Sequence, residues 1–111
     1  MQAQDQELEP FARIGAEEAK RLIDSGSVRV IDVREPAEWE RDHIAEATLL
    51  PLGQLLQRPG ELKQDGVLFI CEVGQRSAVA CEFAASVGLE QLYNLEGGMQ
   101  AWRQHGYPVT K

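Results

Sequence analysis

Apolar positions along the chain fall into two kinds of run. Short, compact runs rich in branched side chains lie at residues 28–33, 67–70 and 92–95. Continuous runs of this length predict strands buried on both faces. Weaker runs at 13–14 and 48–50 read as a short edge strand and a third strand. Between them the apolar spacing changes to a helical one. Ala19, Leu22 and Ile23 share one face of a predicted helix over 16–25, with Gly15 before it and Gly26 after it. Pro36 fits the first turn of a short helix over 36–41, where its missing N–H costs nothing. A single helical turn is expected after Pro51, and Arg58, Pro59 and Gly60 mark a break. Ser77 opens a helix over 78–87 that turns Ala80, Phe83, Ala84 and Val87 toward the sheet, ended by Gly88. A last short helix over 99–104 carries Trp102 as its core anchor, and Gly106 and Pro108 stop it. Strands alternating with short helices predict an α/β fold: about five parallel strands with helices on both faces.

One stretch concentrates chemistry. The strand over 67–70 ends at Cys71, and the polar loop Glu72, Val73, Gly74, Gln75, Arg76 leads to Ser77. This places a cysteine at the carboxyl end of a strand, beside a helix amino terminus, where open α/β sheets bind ligands. A thiol attacks only as the thiolate. Loop amides, the helix amino terminus and Arg76 all favour negative charge there. Gly74 lets the loop close so that successive amides aim at one centre. The loop is therefore expected to form an anion cradle with Cys71 at its floor. The plainer alternative is a buried structural cysteine.

Composition narrows the classes. The 111 residues suffice for one domain and one core. The 43% hydrophobic content is that of a globular protein. No apolar run approaches the roughly 18 residues of a membrane-spanning helix. A net charge of −7 argues against nucleic acid or an anionic membrane as partner. Residues 1–11 are polar and acidic, lack the features of a secretory signal, and are expected to be flexible. A cytoplasmic location is the resulting expectation. Two cysteines make neither a disulfide framework nor a paired metal site, so no metal and no cofactor are expected. Cys81 reads as an apolar packing residue, with a resolving thiol as the alternative.

The 71–77 loop resembles the active-site loop of the rhodanese-like sulfurtransferases. Three further pieces resemble that family in the same order: Ile31, Asp32, Val33, Arg34 and Glu35 with Glu38 and Trp39; His43 and Ile44 with Ala47; and Leu95, Glu96, Gly97 and Gly98 with Trp102. The resemblance spans roughly residues 12–109 and implies a single domain over 12–111. It implies that Cys71 accepts a sulfane sulfur as a persulfide and passes it on. The donor would be thiosulfate or another persulfide, and the acceptor cyanide, a thiol or a protein. Glu72, Val73, Gly74, Gln75, Arg76 and Ser77 would form the substrate-binding loop, with Asp32 and Arg34 supporting it. Arg76 either attracts an anionic donor or braces the loop. His43 reads as a turn residue, since a pre-formed thiolate needs no base, and Trp39 as a packing residue. Asp42 and Glu46 stand where the family often has glycines, which leaves that turn's shape open. Cysteine-dependent phosphatases and arsenate reductases are the enzymatic rivals. Their loops place five residues between Cys and Arg, whereas four separate Cys71 from Arg76. A non-catalytic binding module and a Cys71–Cys81 redox sensor are the others.

Overall fold

The computed structural model describes residues 9–111. The expectation of flexibility therefore falls mostly on residues outside the described part. Of the segment's described end, Phe11 is buried in the core and Glu9 pairs with Arg13.

The described chain runs β1 (Ala12–Ile14), α1 (Ala16–Asp24), β2 (Arg29–Asp32), α2 (Pro36–Arg41), β3 (Ala47–Leu49), α3 (Leu52–Gln57), β4 (Val67–Ile70), α4 (Gln75–Ser86), β5 (Leu92–Leu95) and α5 (Gly98–Gln104). A 3-10 turn at Pro59–Glu61 occupies the expected break. The strands form one sheet in the order β1-β5-β4-β2-β3, with every pairing parallel.

Alternation along the central strands sorts the core into two layers. On one face, Ile31, Val33, Val67, Phe69 and Cys71 pack with Leu55 of α3 and Ala80, Cys81 and Ala84 of α4. On the other, Val30, Leu68 and Ile70 pack with Ala16, Ala19 and Ile23 of α1 and Met99 and Trp102 of α5. Both faces are covered, which is why β4 is apolar and buried throughout. Trp102 anchors α5 as expected, and its indole N–H donates to the Pro108 carbonyl.

Some expectations need correction. Helix α4 starts at Gln75, two residues before Ser77. Its buried stripe is Ser77, Ala80, Cys81 and Ala84; Phe83 is half-buried and Val87 lies exposed at the C-cap. Trp39 packs as expected, half-buried and stacked on the His43 ring at 3.5 Å, although no residue of α2 is fully buried.

The strand order positions the site. From the central pair, β2 leads through α2 to β3 on one side, and β4 leads through α4 to β5 on the other. The outgoing connections diverge, which opens a crevice at the carboxyl ends of β2 and β4. Asp32 and Arg34 stand at one lip, and Cys71 at the other.

Candidate active site

Cys71 follows β4 directly and is fully buried. Its Sγ accepts the Gly74 N–H at 3.0 Å and the Ser77 N–H at 3.3 Å, and lies 3.3 Å from Ser77 Oγ. The cause is local. Gly74 is the N-cap of α4 at φ 98°, and a Cβ there would sit 3.2 Å from Gly97 N and 3.3 Å from Leu95 O. The left-handed turn doubles the chain back over the sulfur. Ser77 then lies in the first helical turn, where the N–H has no partner within the helix and is free to point at Sγ. The α4 amino terminus adds its dipole. Two N–H groups and a helix end converge on one sulfur, an arrangement that stabilises negative charge on it.

The floor of the loop is held from β5 and α5. Met99 N–H donates to the Cys71 carbonyl at 2.9 Å and Gln100 N–H to the Glu72 carbonyl at 3.1 Å. Gly98 makes this possible: at φ +56°, an added Cβ would run into the Cys71 carbonyl and stand 2.5 Å from the Glu72 carbonyl carbon. Asn94, buried on β5, donates to the Gly74 carbonyl at 3.1 Å and to Glu96 Oε2 at 2.8 Å. Its Oδ1 accepts the Ser77 hydroxyl. With its hydrogen bonded to Asn94, the Ser77 hydroxyl braces the loop, and the donors that reach Sγ are the Gly74 and Ser77 N–H groups.

The remaining loop side chains do not converge on the sulfur. Val73 and Gln75 are exposed. The Glu72 carboxylate reaches away to Arg34 Nη1 at 3.2 Å and Arg103 Nη1 at 2.7 Å. Arg76 forms a two-pronged pair with Glu38 of α2, both contacts 2.9 Å. Glu38 also accepts the Glu35 N–H in a capping box that starts α2. The Arg76 hydrogen bonds draw the Glu38 carboxyl from its ordinary 4.5 down to about 2, against the opposing effect of burial.

Arg34, buried, grips Asp32 through Nε at 3.0 Å and Nη2 at 2.9 Å, and donates to the Asp42 carbonyl at 2.7 Å. Arg103 on α5 pairs with both Asp42 carboxylate oxygens at 2.8 Å. These bonds hold the Asp42 carboxyl below its usual range, with burial again opposing. Asp42 is therefore an anchor of the polar cluster. It adopts an extended backbone at φ −170°, and Gln91 is the one non-glycine residue of positive φ among those described. The turn around Asp42 and Glu46 thus needs no glycine. His43 serves that turn: Nδ1 lies 2.9 Å from the Trp39 carbonyl, and its backbone pairs with Thr110. Arg34, Glu38, Arg41, Asp42, Glu72 and Arg103 line an open pocket of about 400 Å³ beside the loop.

Cys81 is buried on α4, and its thiol donates to the Tyr93 carbonyl at 3.3 Å. Burial pushes its pKa far up, so it stays a thiol. Both cysteines are free.

Asn94, Arg103, Asp42 and the Glu38–Arg76 pairing had no place in the sequence-based site. Asn94 did leave a signal: an amide inside an apolar, buried strand requires partners. The charged partners left none, because they are distant in sequence.

A parallel α/β domain with a cradled cysteine at its switch point defines the class. The chain belongs to the rhodanese-like domain family, whose family model matches residues 15–105. It is 36% identical over 93 residues to a sulfurtransferase of Allochromatium vinosum, covering 83% of this chain and 87% of that protein. It is 32% identical over 104 residues to the thiosulfate sulfurtransferase GlpE of Tolumonas auensis, covering 93% and 97% respectively. Among solved structures it resembles a rhodanese-related protein from Thermoplasma volcanium, with a TM-score of 0.80 and 36% identity, over 89% of this chain and 97% of that one. Sulfur transfer is accordingly the chemistry supported at the level of the family. No helix among the described residues is long and apolar enough to cross a membrane.

Proposed function

We propose that the protein is a sulfurtransferase that carries a sulfane sulfur on Cys71. The Cys71 thiolate attacks the outer sulfur of a donor such as thiosulfate or a persulfide. The Sγ–S bond forms as the donor's S–S bond breaks, and the electron pair leaves with sulfite or with the donor thiolate. The persulfide anion on Cys71 is then attacked at its outer sulfur by cyanide, a thiol or a protein thiol, which returns Cys71 as the thiolate. No proton needs to move when donor and acceptor enter as anions, so no general base is required. His43, engaged with Trp39, fits that scheme. Two free cysteines suit a reducing compartment such as the cytoplasm.

The observation that carries this reading is the pair of N–H groups, from Gly74 and Ser77, on Sγ. Donors already aimed at the sulfur stabilise its charge without rearranging, the logic of an oxyanion hole. The loop's length also favours sulfur over a tetrahedral phosphate. A phosphatase needs its loop arginine on the phosphoryl oxygens, and here Arg76 is taken by Glu38.

Intact-mass spectrometry tests the cycle. Incubation with thiosulfate, or with a low-molecular-weight persulfide, should add one sulfur, and cyanide should remove it as thiocyanate appears. Cys71→Ser should abolish the gain while leaving the far-ultraviolet spectrum unchanged. No gain from either donor, with Cys71 shown to be reduced, would overturn the reading in favour of a phosphatase or a silent binding module.

A further inference from the structure

The active-site loop carries a single cation, Arg76, and the fold does not leave it free. Both terminal nitrogens of its guanidinium are bound to the two oxygens of Glu38, each at 2.9 Å. Glu38 is itself fixed, because the same Oε1 caps the first turn of α2. The other cations at the loop are committed too: Arg34 to Asp32 and Glu72, and Arg103 to Asp42 and Glu72. Asp32, Glu38, Asp42 and Glu72 thus meet Arg34, Arg76 and Arg103 and leave the paired cluster one negative charge in excess. Arg41, exposed at the rim of the adjoining pocket, makes no ion pair among the described residues. The Glu38 hydrogen bonds raise the Arg76 pKa against the opposing effect of burial, with a smaller contribution from Cys71.

Resting on the sulfurtransferase reading, we propose that Glu38 determines the class of donor: by holding Arg76 it disfavours the dianion thiosulfate and favours donors of lower charge. Glu38 acts through Arg76 and so is a specificity-determining residue rather than a catalytic one. Released from Glu38, Arg76 would compensate the second negative charge of thiosulfate at the mouth of the cradle.

Two donors of nearly the same shape isolate the effect. Thiosulfate carries two negative charges. Methanethiosulfonate replaces one oxygen by a methyl group and carries one. With either, Cys71 thiolate takes the outer sulfur and expels the electron pair as sulfite or as methanesulfinate, so charge and atoms balance. The measurement is kcat/KM for each donor, with cyanide as acceptor, in wild type, Glu38→Gln and Glu38→Ala. Glutamine keeps the cap of α2, since its amide oxygen still accepts the Glu35 N–H. Alanine removes both contacts and guards against a glutamine that still holds Arg76.

The ratio of thiosulfate to methanethiosulfonate kcat/KM should rise about tenfold in at least one variant, the scale of one partly screened charge pair a few ångströms apart. The rise should shrink in added salt, and adding Arg76→Gln to the responding variant should remove it. A purely structural role for Glu38 would change both donors alike. An unchanged ratio in both variants, with transfer intact, overturns the proposal and leaves the sulfurtransferase reading standing. Absence of transfer from both donors in wild type overturns both.

Discussion

Asn94 supports the cysteine through the two residues that cradle it. Its amide has two N–H groups and one oxygen, and all are used: the N–H groups hold the Gly74 carbonyl and Glu96, and the oxygen takes the Ser77 hydroxyl. Gly74 and Ser77 are the residues whose N–H groups reach the sulfur. Asn94→Ala should therefore strip a buried carbonyl and a buried hydroxyl of their partners at once. The expected loss is about 2–4 kcal/mol of stability, read from the urea midpoint. Single-turnover persulfide formation should slow as well, since both ends of the cradle lose their support. Cys81 is the contrasting residue. Its hydrogen bond runs to the Tyr93 carbonyl, on the strand rather than the loop. A redox pair with Cys71 would require a thiolate where burial keeps a thiol.

Helices α2 and α4 meet at the site through one ion pair. Arg76 and Glu38 are both partly exposed, so the pair contributes no more than about 1 kcal/mol. Its pH dependence follows from Glu38, whose carboxyl is lowered in the folded protein to about 2 from 4.5. A depressed carboxyl stabilises fully above its unfolded value, and the contribution disappears as pH falls through the folded value. The stability difference between wild type and Glu38→Gln should then be flat from about pH 8 to 5. It should shrink below 4.5 and vanish near 2. Denaturant titrations at stepped pH measure it, and a difference that grows on acidification would contradict the pairing. Element by element, the strands were the most legible part of the fold. A parallel strand covered on both faces must be continuously apolar, and 67–70 and 92–95 read that way despite Asn94. Helix α4 was less legible. A serine is a good N-cap, so Ser77 drew the expected start three residues late. The true cap is Gly74, chosen by backbone shape rather than by a side-chain hydrogen bond. At the site, Cys71, Gly74 and Ser77 were legible because they are contiguous. The charged partners were not: Glu38 lies 38 residues from Arg76, and Asp42 lies 61 from Arg103. Only the order of strands brings them together.

Across the molecule, Arg34 is where the parts join. It leaves the end of β2, grips Asp32 behind it, takes the carbonyl of Asp42 after α2, and reaches Glu72 beside the cysteine. Glu72 and Asp42 then share Arg103 with α5. One buried guanidinium thus ties both lips of the switch-point crevice to the helix that clamps the loop from below. Taking two charges out of water is costly, and a well-packed apolar pair is often as stable. Breaking one side is another matter. Arg34→Leu should leave the buried Asp32 carboxylate without its partner and cost about 3–5 kcal/mol, a large share of the stability of a domain this size. Asp32→Leu combined with Arg34→Met removes both charges and should recover much of that loss. The two variants separate stability from positioning. A pair kept for stability alone would regain sulfur transfer in the double variant along with the fold. Because Arg34 also holds Glu72 and the Asp42 carbonyl, the double variant should refold yet transfer sulfur more slowly than wild type. Thermal unfolding and single-turnover persulfide formation on the same samples decide it. Full recovery of both would mean that the cradle is set by Gly74, Gly98 and Asn94 without help from the ion cluster.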